Sequence, residues 1–538
     1  MFRIRHANPV LAALAYLAPT ALAIAAGWWW LGAPVPLPPS PLAEGGKLYC
    51  VSYAPFRGSQ DPLVEGTRVS AAQIDEDLAF LSHYTRCIRT YSVDDGGADV
   101  LVSARRYGLK VLHGVWISND REKTRRQIET TVALAKDYAD VVTAVVVGNE
   151  VLLRGEMSPS DLIAYIREIK SRVAQPVTYA DVWEFWLRYP DVQNAVDFVT
   201  VHILPYWEDF PIPARLAAAH VESIREKVAA AFPGKEIVIG EFGWPSAGRM
   251  REGARPSPSN QGRVIAETLA MAEREHFRVN IIEAFDQPWK RALEGVVGGY
   301  WGIFDRATGA PKFGAAVSDH PHWLALAAAG IVLAALTFGA AFSAGRGKDL
   351  PPWLWPRIAI LALVPGILFG WTLETVPIES FGVSGWLRSL AFAATAAIAP
   401  IACAGACAAG RKRPSFAALL AGNAAPLDAL GLLLGISFAA LTMLSLETAL
   451  GLVFDPRYRD LPFAPQSAGV IAFLVLAATG PRPPGPRAVA ETVAGAVLAA
   501  AAVYIACNET FANWQAIWLC AGLAGLGFIL MRARDVPG

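Results

Sequence analysis

Two glutamates carry the strongest chemical signal in the chain. Glu150 closes the run Val145-Val146-Val147-Gly148-Asn149-Glu150, and Glu241 lies within Ile239-Gly240-Glu241-Phe242-Gly243-Trp244-Pro245-Ser246. Each stands where a short β-branched run, the pattern of a buried strand, gives way to glycine and polar residues. A carboxyl group at such a boundary projects from the mouth of its strand. Two of them facing one cavity can divide the work of breaking a glycosidic bond: one protonates the leaving oxygen while the other attacks or steadies the oxocarbenium-like centre. A lone glutamate at a helix start is more often a cap or dipole partner, so the argument rests on the pair.

Other residues fall near the same strand ends. Asn149, beside Glu150, suits a hydrogen bond to a sugar 2-hydroxyl, and Arg89 with Tyr91 suits orienting Glu241. Trp183, Tyr206, Trp207, Trp244 and Trp289 offer aromatic faces for sugar rings, with Trp244 the first choice because it adjoins Glu241. Asp286 and Lys290 suit either substrate binding and tuning of Glu241 or a structural ion pair, whereas His202, inside an apolar run, reads as a core histidine. No His/Cys/Asp/Glu spacing matches a metal centre, and no cofactor is expected.

These residues must be positioned by regular elements. Eight short runs at 48–54, 87–92, 110–116, 141–147, 176–183, 198–204, 236–242 and 281–286 read as strands. Helical patterns lie between them at 71–83, 97–107, 121–138, 159–173, 213–231 and 258–276. Eight strands alternating with helices over this length predict a parallel (β/α)8 TIM barrel, whose chemistry sits at the C-terminal strand ends. No GxGxxG follows a strand, and Gly345-Arg346-Gly347-Lys348 lacks the rest of a phosphate-binding loop. A nucleotide-binding α/β fold therefore loses support.

The motifs resemble glycoside hydrolase family 17, the β-1,3-glucanases and related glucanosyltransferases. Besides V-V-V-G-N-E at 145–150 and I-G-E-F-G-W-P-S at 239–246, Y-A-P-F (53–56), I-R-T-Y-S (88–92), V-H-I-L-P-Y-W (201–207) and E-A-F-D-Q-P-W-K (283–290) fall in order. The resemblance covers about half the chain and implies retention, with Glu150 as acid/base and Glu241 as nucleophile. F-D-Q-P-W-K and the helical tail look like the bacterial membrane-anchored members, and F-D-P-R-Y-R-D-L-P-F at 454–463 is similar to an extracytoplasmic loop in them. There is no QxxRW motif or nucleotide-sugar domain, so synthesis from an activated sugar is not expected.

Composition adds a membrane part. With 54% hydrophobic and 17% charged residues over 538, the chain is too apolar for a wholly soluble protein. Apolar stretches of near-spanning length centre at 9–30, 322–343, 354–374, 386–408, 427–447, 465–480, 488–507 and 514–531, the sixth being short, with a further strip at 415–425. Alternating sides gathers Arg3, Arg5, Arg346, Lys348, Arg411, Lys412, Arg413, Arg482, Arg487, Arg532 and Arg534 on one face, against Arg388, Arg457 and Arg459 on the other. The positive-inside rule then puts both termini in the cytoplasm and the barrel outside, in the periplasm where an outer membrane exists. The expected organisation is an N-terminal transmembrane anchor at 1–31, a stiff Pro-rich linker at 32–46, the barrel at 47–318 and a C-terminal membrane domain of about seven helices at 319–538. Expected partners are a β-glucan, the lipid bilayer and a glucan synthase; zero formal net charge and no basic face argue against nucleic acid. Glu447 and Glu491, near predicted helix ends, are among few intramembrane charges, so the tail reads as anchor or scaffold. A non-catalytic glucan-binding scaffold is the alternative function. Cys50 and Cys87 each open a predicted strand, the first and second, and are equally readable as a disulfide or as two buried thiols.

Overall fold

A computed structural model describes residues 9–40, 45–305, 310–312, 314–348, 350–416, 419, 428–478 and 485–534. Arg3, Arg5, Pro41, Arg482 and most of the 415–425 strip lie outside them. The chain divides into two compact units: Pro34–Val317, and a helical unit assembled from Met1–Ala33 and Ser318–Gly538.

In the first unit a two-residue strand, β1 (Val35–Pro36), pairs antiparallel with the segment Ala316–Val317, joining the unit's own ends. Between them β2 (Cys50–Ser52), β3 (Cys87–Arg89), β4 (Lys110–Val115), β5 (Val142–Asn149), β6 (Val177–Val182), β7 (Val199–His202), β8 (Ile237–Phe242) and β9 (Val279–Ile281) form a closed parallel barrel. The expected (β/α)8 barrel is thus the observed fold. Six helices match the periodic stretches closely, for example Arg121–Asp137 and Pro258–Glu275. Their starts are encoded locally: Ser70, Asp120, Ser158 and Ser257 each accept a backbone N–H from the residue three positions on. Such caps satisfy donors that a helix start otherwise leaves bare. Pro159 and Pro258 occupy first-turn positions, where the missing N–H costs nothing.

Strand alternation separates two cores. Val51, Ile88, Val111, Val145, Val147, Val199, Val201, Ile237 and Ile239 share one apolar cluster with helix residues such as Ile74, Leu78 and Ile128. Cys50, Cys87, Leu112, Ala144, Val146 and Ala180 form a second cluster, the opposite face of the same strands. Cys50 and Cys87 are bonded there, with Cα atoms 4.3 Å apart. Since side chains two residues apart share a face, the disulfide lies one layer from Ser52 and Arg89.

Two boundary differences bear on the mouth of the barrel. The last strand ends at Ile281 rather than continuing to residue 286, because Phe285 turns aside to bridge Phe304. Trp183 opens a short helix, Trp183–Arg188, instead of ending its strand.

Among the described residues the helical unit has seven helices of spanning length and composition: Val10–Leu31, Trp323–Ala344, Leu354–Glu379, Gly382–Ala409, Ala429–Phe454, Val489–Glu509 and Trp514–Met531. An eighth, Phe463–Ala477, is shorter. Close helix approach depends on glycine: a Cβ on Gly330 would sit 2.4 Å from the Gly366 carbonyl. Among its buried polar groups, His320 Nδ1 lies 2.6 Å from Glu374 Oε2, and Glu491 accepts a hydrogen bond from the Phe416 N–H at 2.8 Å.

Candidate active site

Glu150 and Glu241 meet at the C-terminal mouth of the barrel. Glu241 lies within β8 and is 4% exposed. Glu150 follows β5 at a sharp turn in which Gly148 has φ +86° and Glu150 itself φ +53°. That left-handed backbone costs a glutamate about 1–3 kcal/mol. It is held by the Glu150 N–H donating to the Ala180 carbonyl at 2.8 Å, and by Arg154, which donates to the Asn149 carbonyl and stacks 4.5 Å over Trp116. One oxygen of each carboxylate and one ring nitrogen of His202 lie within 4.8 Å of one another.

Arg89, 1% exposed, organises the floor. Its Nη1 donates to Glu241 Oε1 at 3.0 Å and to the Gly240 carbonyl at 2.7 Å, while Nη2 donates to Asn149 Oδ1 at 2.5 Å. A guanidinium offers several donors in a rigid fork, so one side chain ties the residue before Glu150 to the strand bearing Glu241. A second line of hydrogen bonds reaches the same oxygen. Asn280 donates to Ser52 Oγ at 2.8 Å, Ser52 Oγ lies 2.9 Å from the Tyr91 hydroxyl, and that hydroxyl lies 2.9 Å from Glu241 Oε1. A phenol has one proton, so Tyr91 gives it to the carboxylate and accepts from Ser52. Burial, and then the charge of Glu241, push the Tyr91 phenol well above its ordinary range, keeping it a neutral donor.

The Glu150–His202–Glu241 triangle has metal-like spacing, but Arg89 already bonds the Glu241 oxygen and lies 3.4 Å from His202 Nε2. The guanidinium supplies the positive charge a metal would bring, and a second cation there would be repelled. Burial pushes the Glu150 carboxyl up, but the hydrogen bond with His202 and the charges of Arg154 and Arg89 prevail and hold it below the ordinary glutamate range. The resting arrangement thus favours its base form.

Sequence reading brought the right strands together but assigned some side chains to the wrong surroundings. Trp244 and Tyr206 are fully buried, Trp244 donating to the Arg255 carbonyl at 3.1 Å and Tyr206 to that of Arg249 at 2.9 Å. Their rings pack edge to face 6.0 Å apart, so neither presents a face to a sugar. Trp183 is partly exposed, with its indole N–H 3.2 Å from Glu208, and Trp207 stacks on Trp301. Asp286 and Lys290 do not pair with each other. Asp286 binds Lys312 at 2.5 Å and Lys290 binds the buried Glu283 at 3.1 Å. Burial, opposed by Lys290, raises the Glu283 carboxyl to about 7. Ser52, Asn280, Glu283 and His202 were not singled out for the site. For Ser52, Asn280 and His202 the available signal was alternation with apolar residues on short strands, since a polar residue on a barrel strand's inner face needs a partner.

Residues 50–302 match the family described as the BtgE/BtgC glycoside hydrolase domain. A "Glucan 1,3-beta-glucosidase" of Arthroderma benhamiae is 26% identical over 270 residues, covering 47% of this chain and 86% of that protein. The "Probable family 17 glucosidase SCW10" of Saccharomyces cerevisiae is 26% identical over 268 residues, covering 48% of this chain and 65% of its own length, just under two thirds. A crystal structure of the family 17 β-1,3-glucanosyltransferase from Rhizomucor miehei aligns with a TM-score of 0.44 and 24% identity over 50% of this chain and 98% of that one.

Proposed function

We propose that this chain, whose residues 50–302 match the BtgE/BtgC glycoside hydrolase domain, is a retaining β-1,3-glucan-active enzyme of glycoside hydrolase family 17 using Glu241 as nucleophile and Glu150 as acid/base. The observation that carries the reading is the proximity of the two carboxylates, with an oxygen of each within 4.8 Å. Retaining enzymes separate these groups by about 5–5.5 Å, whereas inverting enzymes leave about 6.5–9.5 Å for a water.

In the first half-reaction a Glu241 oxygen attacks the anomeric carbon while Glu150 gives its proton to the departing glycosidic oxygen. The result is a glycosyl ester on Glu241 and a Glu150 carboxylate. In the second half Glu150 takes a proton from the incoming hydroxyl, which attacks the same carbon and releases Glu241. Arg89 and Tyr91 hold Glu241 from two directions, so its orientation is set before substrate arrives. Asn149, fixed by Arg89, faces the sugar beside the acid/base. Water as acceptor makes the enzyme a glucanase; a second glucan hydroxyl makes it a transglycosylase. Anchoring suits the latter, remodelling a glucan as it emerges from a synthase at the membrane. The long apolar helices and the one-sided distribution of Arg and Lys support a cytoplasmic-membrane location with the barrel outside.

Incubation of the full-length chain in detergent with laminari-oligosaccharides tests this. Products longer than the donor establish transfer, shorter ones alone establish hydrolysis, and no product from folded protein refutes the reading. Glu241→Gln should abolish covalent labelling by a fluorinated glycosyl donor; a variant that still labels removes Glu241 from its role.

A further inference from the structure

One fully buried side chain touches both halves of the carboxylate pair. His202, 1% exposed at the end of β7, places Nδ1 3.1 Å from Glu150 Oε1 and Nε2 3.6 Å from Glu241 Oε1. We infer that His202 is a positioning residue: a neutral imidazole protonated on Nδ1 that locks one oxygen of Glu150 and leaves the other to carry the transferred proton. The inference rests on Glu150 being the acid/base.

The tautomer follows from the neighbours. Arg89 Nη1 lies 3.4 Å from His202 Nε2, and a guanidinium can only donate. Two N–H groups cannot usefully face each other, so Nε2 carries the lone pair and the proton sits on Nδ1, aimed at Glu150. A charged ring would turn its second N–H toward Glu241 Oε1 at 3.6 Å, too long for a hydrogen bond. It would also add a buried cation beside Arg89, at a desolvation cost no new contact offsets.

The ring's place is fixed by packing. A Cβ on Gly240 would come within 3.2 Å of the His202 ring and 2.3 Å of Thr200 Cγ2, so the imidazole lies over a strand position that only glycine leaves open. His202 pairs in register with Val182 on one side and Glu241 on the other. That pairing fixes its backbone between β6 and β8, the strand that carries Glu241.

The chemical consequence is a division between the two Glu150 oxygens. Oε1 accepts from Nδ1–H in both half-reactions, and that proton never moves. Oε2 gives its proton to the leaving glycosidic oxygen and later takes one from the incoming hydroxyl. A hydrogen bond donated to the ionised form favours it, so His202 also favours the base that the second half-reaction requires. The charged groups facing Glu150 are Arg89, Arg154, Asp181, Glu241 and Glu294, from five different elements. Arg89 and Asp181 also feel the His202 ring, Arg89 through Nε2 at 3.4 Å, so the variants are read against each other as well as against the parent.

The test compares His202→Leu with His202→Asn in the full-length chain, measuring kcat/KM on laminari-oligosaccharides against pH. Labelling by the fluorinated donor reports that the Glu241 side of the site is intact. Loss of the donor in His202→Leu should move the basic limb up by about one pH unit, the differential effect of one hydrogen bond to a charged group. His202→Asn, whose amide nitrogen can replace Nδ1, should return the limb toward the parent position. A labelled His202→Leu enzyme whose basic limb coincides with the parent's overturns the inference. Should the leucine variant not fold, His202→Gln replaces it, because its longer amide matches Nε2 and not Nδ1; identical limbs for Asn and Gln then overturn it equally. A parent enzyme that neither labels nor turns over fails the glycosidase reading instead.

Discussion

Replacing Cys50 and Cys87 together by alanine removes the covalent link between the first two barrel strands. The bonded residues are 37 apart in sequence, and a loop of that length closed in the unfolded chain is worth about 4 kcal/mol in the chain-entropy treatment. At roughly 2–4 °C per kcal/mol for a domain of this size, the midpoint of thermal unfolding should fall by about 8–16 °C. A local effect should accompany it, because Ser52 and Arg89 follow the two cysteines by two residues on the same barrel face. The assay is the temperature at which half the glucan-processing activity is lost, measured on the full-length chain in detergent. Thiol titration before and after denaturation provides the control: the parent protein should release two further thiols only when both unfolded and reduced, because Cys50 and Cys87 are 0% and 4% exposed. A midpoint lowered by less than about 3 °C would refute the reasoning.

Two further outcomes follow from the site. Tyr91→Phe removes a hydrogen bond to the Glu241 carboxylate worth about 1.5–3 kcal/mol. The expected fall in kcat/KM is roughly ten- to hundredfold, with labelling stoichiometry unchanged; a loss under about twofold would exclude a part for Tyr91 in the transition state. Burial, aided by the charge of Glu150 and opposed by the bond from Tyr179, raises the Asp181 carboxyl from 3.8 to about 6. A carboxyl held higher in the folded than in the unfolded chain contributes stability that is complete below its unfolded value and lost as pH rises through about 6. Asp181→Asn stays uncharged, so its stability relative to the parent should grow from pH 4 to pH 7, by about 3 kcal/mol at most. Paired denaturation curves at the two pH values measure this, and a constant difference would contradict it.

How much was legible in the sequence varied with the kind of interaction. The barrel was readable because parallel strands buried on both faces are written as short β-branched runs, and helix starts as Ser or Asp caps. Glu150 and Glu241 were readable because each interrupts such a run at its end. The ring of residues that holds them was not. His202 looks like any polar residue inside an apolar strand, and its closeness to both carboxylates depends on the register of β7 with β8, which periodicity does not reveal. Trp244 drew attention by adjoining Glu241, yet it lies beyond the end of β8 and points into the aromatic packing around Tyr206. The partners of Asp286 and Lys290 were hidden for another reason. Lys312 and Glu283 are supplied by segments beyond the barrel strand, where the chain folds back through Phe304.

The helical unit is discontinuous, made of Met1–Ala33 and Ser318–Gly538 with the barrel between them. Helix Pro9–Leu31 packs on Trp323–Ala344, and Ser318 donates to the Gly32 carbonyl at 2.8 Å. During synthesis the first helix therefore leaves the ribosome with its partner still unmade. At about 5–20 residues per second, the intervening stretch takes roughly 15–60 s to appear. Through that interval the first helix must persist alone while the barrel strands are delivered one after another. The ribbon of β1 with Ala316–Val317 can close only once Val317 has emerged, at nearly the moment the waiting helix gains its neighbour. Connectivity thus sets a timetable: the ribbon that joins the ends of the barrel unit and the first pairing of the helical unit come together.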